Sequence, residues 1–106
     1  MAVIEINDDS FSKEIEENKN IIVKYFADWC GTCRLFAPKF KRLSEDERFK
    51  DVVFLDVNAE KNATARKAGN VKTLPTFVAF KNGVFLDAIS SSREESVIEL
   101  IQKLQA

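Results

Sequence analysis

Two cysteines, Cys30 and Cys33, stand in the segment Trp29-Cys30-Gly31-Thr32-Cys33 and are the only sulfur nucleophiles of the chain. A Cys-x-x-Cys spacing suits a dithiol that cycles with a disulfide, half of a metal site, or two cysteines buried for packing alone. A tetrahedral structural zinc needs four ligands, and a chain with two Cys and no His does not supply them from sulfur and imidazole. The local pattern favours redox chemistry. A strand ending at Ala27 and a helix starting near Cys30 place the first sulfur at a helix N-terminus, where unpaired backbone N–H groups and the helix dipole stabilise a thiolate. Cys33, one turn further on, reaches Cys30 and is placed to resolve a mixed disulfide.

The elements that must position this pair are legible from periodicity. Val3 to Ile6 reads as a short strand, and Phe11 and Ile15, four apart among charges after Asp8-Asp9-Ser10, read as a one-sided helix ending at Asn18 to Asn20. Ile21 to Phe26 is β-branched and aromatic on both faces, as in a central strand, with Lys24 its one anomaly. From Cys33 to Arg48, Leu35, Phe36, Phe40 and Leu43 recur at helical spacing around Pro38, which predicts an amphipathic helix with a kink. Val52 to Val57 is a second central strand, and Ala63 to Ala68 a short helix that Gly69 closes. Thr76 to Phe80 and Val84 to Ile89 flank Lys81-Asn82-Gly83, the signature of a hairpin. A last helix follows, with a capping box at Ser92-Arg93-Glu94-Glu95 and an apolar face of Val97, Ile98, Leu100, Ile101 and Leu104. Strand and helix alternate before the hairpin, so the expected fold is α/β: a mixed sheet of about five strands flanked by about four helices.

At 106 residues with 45% hydrophobic residues, the chain suits one domain with one core. Sixteen basic and 17 acidic residues are interspersed, for a net charge of -1, so no basic stripe points to nucleic acid. No stretch is apolar for the ~18 residues that a membrane helix requires. The acidic start after Met1 lacks a secretory pattern, which reads as cytoplasmic.

The chain resembles the thioredoxin family in four ordered segments: Phe26-Ala27-Asp28-Trp29-Cys30-Gly31-Thr32-Cys33-Arg34, Ala37-Pro38-Lys39-Phe40, Val71-Lys72-Thr73-Leu74-Pro75-Thr76-Phe77 and Phe80-Lys81-Asn82-Gly83. The resemblance implies a thioredoxin fold and a protein-disulfide reductase with Cys30 as nucleophile, Cys33 as resolving thiol and no cofactor beyond their disulfide. It further implies a cis proline at Pro75 facing the disulfide, backbone contacts from Leu74 to a substrate strand, and Trp29 over the rim. An apolar rim of Trp29, Val71, Leu74 and Pro75, beside Gly31 and Thr32, would give transient binding to many disulfide-containing proteins. A thioredoxin reductase is the implied source of electrons, and the protein is expected to act as a monomer. A binding module on the same fold and an isomerase or oxidase are the alternative functions.

Three features depart from the family pattern. Thr32 stands where proline is usual, restoring a backbone N–H and predicting a less reducing protein. Lys24 stands where the family usually carries a buried Asp, and Asp56 where bacterial members often carry Lys, as if the charges were exchanged. Lys24 then either pairs with Asp56 or runs along its methylenes to solvent. If paired, Asp56 could take the Cys33 proton through Lys24 or a water, or a neutral Lys24 amine could do so directly. Ser91 stands where glycine is common, and either narrows the substrate groove or serves the start of the final helix.

Overall fold

The computed structural model describes residues 3–106. Five strands form one sheet: β1 (Ile4–Ile6), β2 (Asn20–Phe26), β3 (Val53–Asn58), β4 (Thr76–Lys81) and β5 (Val84–Ile89). Their order is β1-β3-β2-β4-β5, with β1, β3 and β2 parallel and β4 and β5 antiparallel. Four α-helices complete the fold: α1 (Asp8–Glu17), α2 (Gly31–Ser44), α3 (Ala63–Ala68) and α4 (Glu94–Gln105).

β2 is central, and its residues from Asn20 to Tyr25 are all buried. Because alternate side chains point to opposite faces, Ile21, Val23 and Tyr25 enter one core with Phe11, Ile15, Leu55, Val57 and Ala65, beneath α1 and α3. Ile22 enters the other with Phe36, Phe40, Phe54, Phe77, Leu100 and Ile101, beneath α2 and α4. The hairpin closes with positive φ at Asn82 (53°) and Gly83 (81°), the two-residue turn whose twist matches antiparallel strands.

Three local readings are corrected by the structure, and a fourth, the closure of α3 by Gly69, holds with a different backbone conformation. α2 stops at Ser44, and Glu47–Phe49 forms a separate 3-10 turn whose start Asp46 caps by accepting from the Arg48 amide. Leu35 does not join the core: it is 79% exposed on the outer side of α2. The capping box at Ser92 does not form; Arg93 is the N-cap of α4, and the nearby side-chain bond is Ser91 Oγ accepting from the Arg93 amide at 3.1 Å. Gly69 does end α3, but with φ −89°; the left-handed residue is Asn70 (φ 54°). Asn70 N–H donates to Lys67 and Val71 N–H to Arg66, a Schellman closure with asparagine in the place usually taken by glycine.

Gly69 is instead required by close approach. A Cβ there would lie 2.9 Å from the Tyr25 ring, whose hydroxyl donates to the Ala65 carbonyl at 2.8 Å. The ring is fully buried on β2 and cannot swing aside. Burial also pushes the Tyr25 hydroxyl well above its ordinary range, so it remains a neutral donor. Gly69→Ala is expected to cost about 1–3 kcal/mol by overpacking, read as a lower denaturant midpoint; an unchanged midpoint would show that α3 can move off β2.

Candidate active site

β2 runs out at Phe26, and a short loop delivers the chain to α2. Its exit is pinned by the Ala59 amide donating to the Phe26 carbonyl at 2.7 Å and the Cys30 amide to the Ala27 carbonyl at 3.1 Å. Arg34 Nη2 donates to the Asp28 carbonyl at 2.6 Å, while the Asp28 carboxylate meets Asn58 and Lys61. The loop is thus held from both α2 and the end of β3.

Cys30 is the N-cap of α2, and its Sγ accepts the Cys33 backbone N–H at 3.1 Å. One of the unpaired donors of the helix start is therefore aimed at the first sulfur. Cys33 lies one turn inside, and the two form a disulfide across a Cα separation of 5.3 Å. Both cysteines are buried to nearly the same degree, so it is position at the helix start, and not exposure, that distinguishes them. The amide on Cys30 Sγ is that of Cys33, which a Gly-Pro sequence would also present; the donor restored by Thr32 is not the one in this bond.

Around the disulfide, Gly31 and Thr32 are exposed, as is Trp29 at 65%. Leu74 is half-buried and packs on the cluster of Ala27, Cys30 and Cys33, and the Leu74-Pro75 peptide is cis. Val71 and Pro75 are buried, while Trp29 and Leu74 are the more accessible of the four apolar residues beside the disulfide. Ser91 Oγ is engaged with the Arg93 amide in the turn before α4.

Behind the disulfide lies a cavity of about 490 Å³ lined by both cysteines together with Lys24, Asp56, Glu5 and Arg34. Register makes this possible: Lys24 on β2 stands opposite Asp56 on β3. Lys24 is 3% exposed and does not extend to solvent; its Nζ is 3.5 Å from Asp56 Oδ1. The contact is an ion pair without hydrogen-bond geometry, since Asp56 Oδ1 is buried and accepts no hydrogen bond among the described residues. The ammonium also lies 5.3 Å from the Phe40 ring centroid and 5.8 Å from that of Phe26, where aromatic faces favour a cation. Asp56 is pushed up to about 6, chiefly by burial, with Lys24 opposing and Glu5 adding to the rise.

Sequence reasoning did not single out Glu5, Phe26, Phe40 or Arg34 as parts of this site. Arg34 and Phe26 lie inside the family-like segment, which was a usable signal. Glu5 sits between Ile4 and Ile6 in an alternating strand and carries no such mark.

Among the described residues, no group of three or more His, Cys, Asp or Glu is placed to hold a metal ion, and no helix is long and apolar enough to cross a membrane. A disulfide at the start of the helix that follows a central strand defines a thiol–disulfide oxidoreductase. A model of the thioredoxin family matches residues 2–104. The chain is 35% identical over 96 residues to the H-type thioredoxin of Chlamydomonas reinhardtii, covering 91% of this chain and 84% of that one. It is 36% identical over 88 residues to a peptide-N(4)-(N-acetyl-beta-glucosaminyl)asparagine amidase of Caenorhabditis briggsae, where the match takes 83% of this chain but 14% of that protein. The crystal structure of thioredoxin F from spinach chloroplast, short form, superposes with a TM-score of 0.91 at 28% identity, over 99% of this chain and 95% of that one. The chain belongs to the thioredoxin family, and its chemistry is dithiol–disulfide exchange at Cys30 and Cys33.

The Asp56 shift has a consequence for stability. An Asp free in the unfolded chain titrates near 3.9, so between about pH 4 and 6 the folded protein binds the extra proton. Its contribution is present below pH ~4 and is lost as pH rises through about 6, to a total on the order of 3 kcal/mol. Urea unfolding of the oxidised protein is expected to show this decline. In Lys24→Met, which removes the charge that holds Asp56 down, the decline should extend to higher pH; a decline ending at lower pH would contradict the pairing.

Proposed function

We propose that this chain is a cytoplasmic, monomeric protein-disulfide reductase that draws electrons from a thioredoxin reductase and passes them to disulfide-containing proteins. The observation that carries the assignment of roles is the Cys33 amide on Cys30 Sγ at the N-cap of α2. It selects Cys30 as the anion that attacks, since the helix start stabilises negative charge there.

In the forward half-reaction, Cys30 thiolate attacks one sulfur of the substrate disulfide and the other leaves as thiolate, taking a proton from water. Cys33, deprotonated, then attacks Cys30 Sγ, the mixed disulfide breaks, and the reduced substrate departs. The Cys33 proton needs an acceptor inside the cavity. Asp56, pushed up to about 6 by burial and lining that cavity, fits the task, with Lys24 beside its carboxylate. The Lys24 Nζ is occupied by the Asp56 carboxylate and the faces of Phe26 and Phe40, which leaves Asp56 as the acceptor of this reading. Trp29 and Leu74 supply the substrate rim, with Gly31 and Thr32 open beside it.

Reduction of insulin with the reductase or dithiothreitol as electron source tests the roles. Cys30→Ser should fall to background and form no adduct. Cys33→Ser should also lose turnover but accumulate the mixed disulfide through Cys30, visible on non-reducing gels. Inactive wild-type protein would favour a binding module, and adducts through Cys33 in Cys30→Ser would reverse the assignment.

A further inference from the structure

The charged row behind the disulfide does not end at Lys24 and Asp56. β1 pairs with β3 so that Glu5 stands beside Asp56, which in turn stands beside Lys24. The three residues occupy adjacent strands, and all three line the cavity that contains both cysteines. The other charged groups on this cavity are already engaged. Asp28, from the loop before α2, is held by Lys61 and Asn58, and Arg34, from α2, donates to the Asp28 carbonyl. Lys24 is bound to Asp56. The Glu5 side chain, exposed to solvent, has no ion pair or hydrogen bond among the described residues, so the carboxylate beside Asp56 in the row is uncompensated.

We propose that Glu5 is a positioning residue for the reaction: beside Asp56 and on the same cavity, it sets the proton occupancy of Asp56, and through it the pH range in which Cys33 can release a bound substrate. This rests on the reading of Asp56 as the proton acceptor for Cys33. In that step Cys33 gives its proton to the Asp56 carboxylate, its sulfur bonds to Cys30 Sγ, and the bond between Cys30 and the departing sulfur breaks with both electrons leaving on the substrate thiolate. A proton already on Asp56 blocks the transfer. A second carboxylate one strand away keeps that proton on to higher pH, and because Glu5 faces solvent its influence is screened by salt.

The test uses the reduced 106-residue chain and 5,5′-dithiobis(2-nitrobenzoate). Attack by Cys30 releases the first thionitrobenzoate, and resolution by Cys33 releases the second; stopped-flow absorbance separates the phases. The rate of the second phase is expected to rise with pH to a plateau. Its midpoint should move to lower pH in Glu5→Gln and further still in Glu5→Lys. Added sodium chloride should lower the wild-type midpoint and leave that of Glu5→Gln nearly fixed, a difference that a purely structural role for Glu5 would not produce. In Asp56→Asn the pH step should be lost. Glu5 variants with the wild-type midpoint, while Asp56→Asn loses the step, overturn the role of Glu5 alone. A step that persists unchanged in Asp56→Asn overturns the Asp56 reading, and the proposal with it.

Discussion

The register between β2 and β3 is the constraint on which the site depends. β2 is buried on both faces, so a slip of one residue would exchange its two apolar sets and drive Lys24 into the core beneath α1 and α3. In the observed register Ile21, Val23 and Tyr25 pack on one side, while Lys24 meets Asp56 beneath α2. The same register ends β2 at Phe26 and β3 at Asn58, from which the loop carrying the cysteines is held. A buried lysine in a central strand is costly unless paired. The cost here is met by a carboxylate and two aromatic rings, and it does not follow that the pair adds net stability. Its value lies in placing a titratable carboxyl in the cavity behind the disulfide.

The two sulfurs are activated by different physics. Cys30 is served by backbone: a helix start whose amides come from the chain itself, with the Cys33 N–H donating to its sulfur. Cys33 sits past that first turn and shares its cavity with a three-residue charged row drawn from β1, β3 and β2. The first contribution is local in sequence and the second is spread from residue 5 to residue 56. In this chain an ammonium stands on β2 and its carboxylate partner one strand away on β3.

The helices under the opposite face are secured by exchanges that no single segment contains. Asn62, at the start of α3, accepts from the Asp8 amide at 2.8 Å, and the Asp8 carboxylate accepts from the Thr64 and Ala65 amides. Each helix start is completed by a residue from the other. α3 therefore needs no cap of its own, and none is present: the Asn62 side chain makes no cap bond to α3. Tyr25 then ties β2 to α3 through the Ala65 carbonyl, with Gly69 leaving room for the ring. The helix that packs behind β2 is thus positioned by contacts 40 to 57 residues apart in sequence.

Strand and helix positions, the hairpin at Asn82-Gly83, the helix start at Cys30 and the departure at Lys24 were all legible in the sequence, because each follows from local periodicity, from turn residues with restricted φ, or from one residue type that does not suit its surroundings. Leu35 reads as core by spacing alone, yet only the packing partners of α2 decide which side of a helix is covered, and none faces Leu35. Ser92 offers a cap in sequence, but the N-cap of α4 falls one residue later, at Arg93, and makes no side-chain cap bond. Tertiary structure likewise decided that Lys24 pairs with Asp56 and that Glu5 joins them, since cross-strand partners are fixed by the alignment of whole strands and leave no trace within either one. By itself the sequence determined that two sulfurs would sit at a helix start; which charges stand behind them was decided only by how three strands came into register.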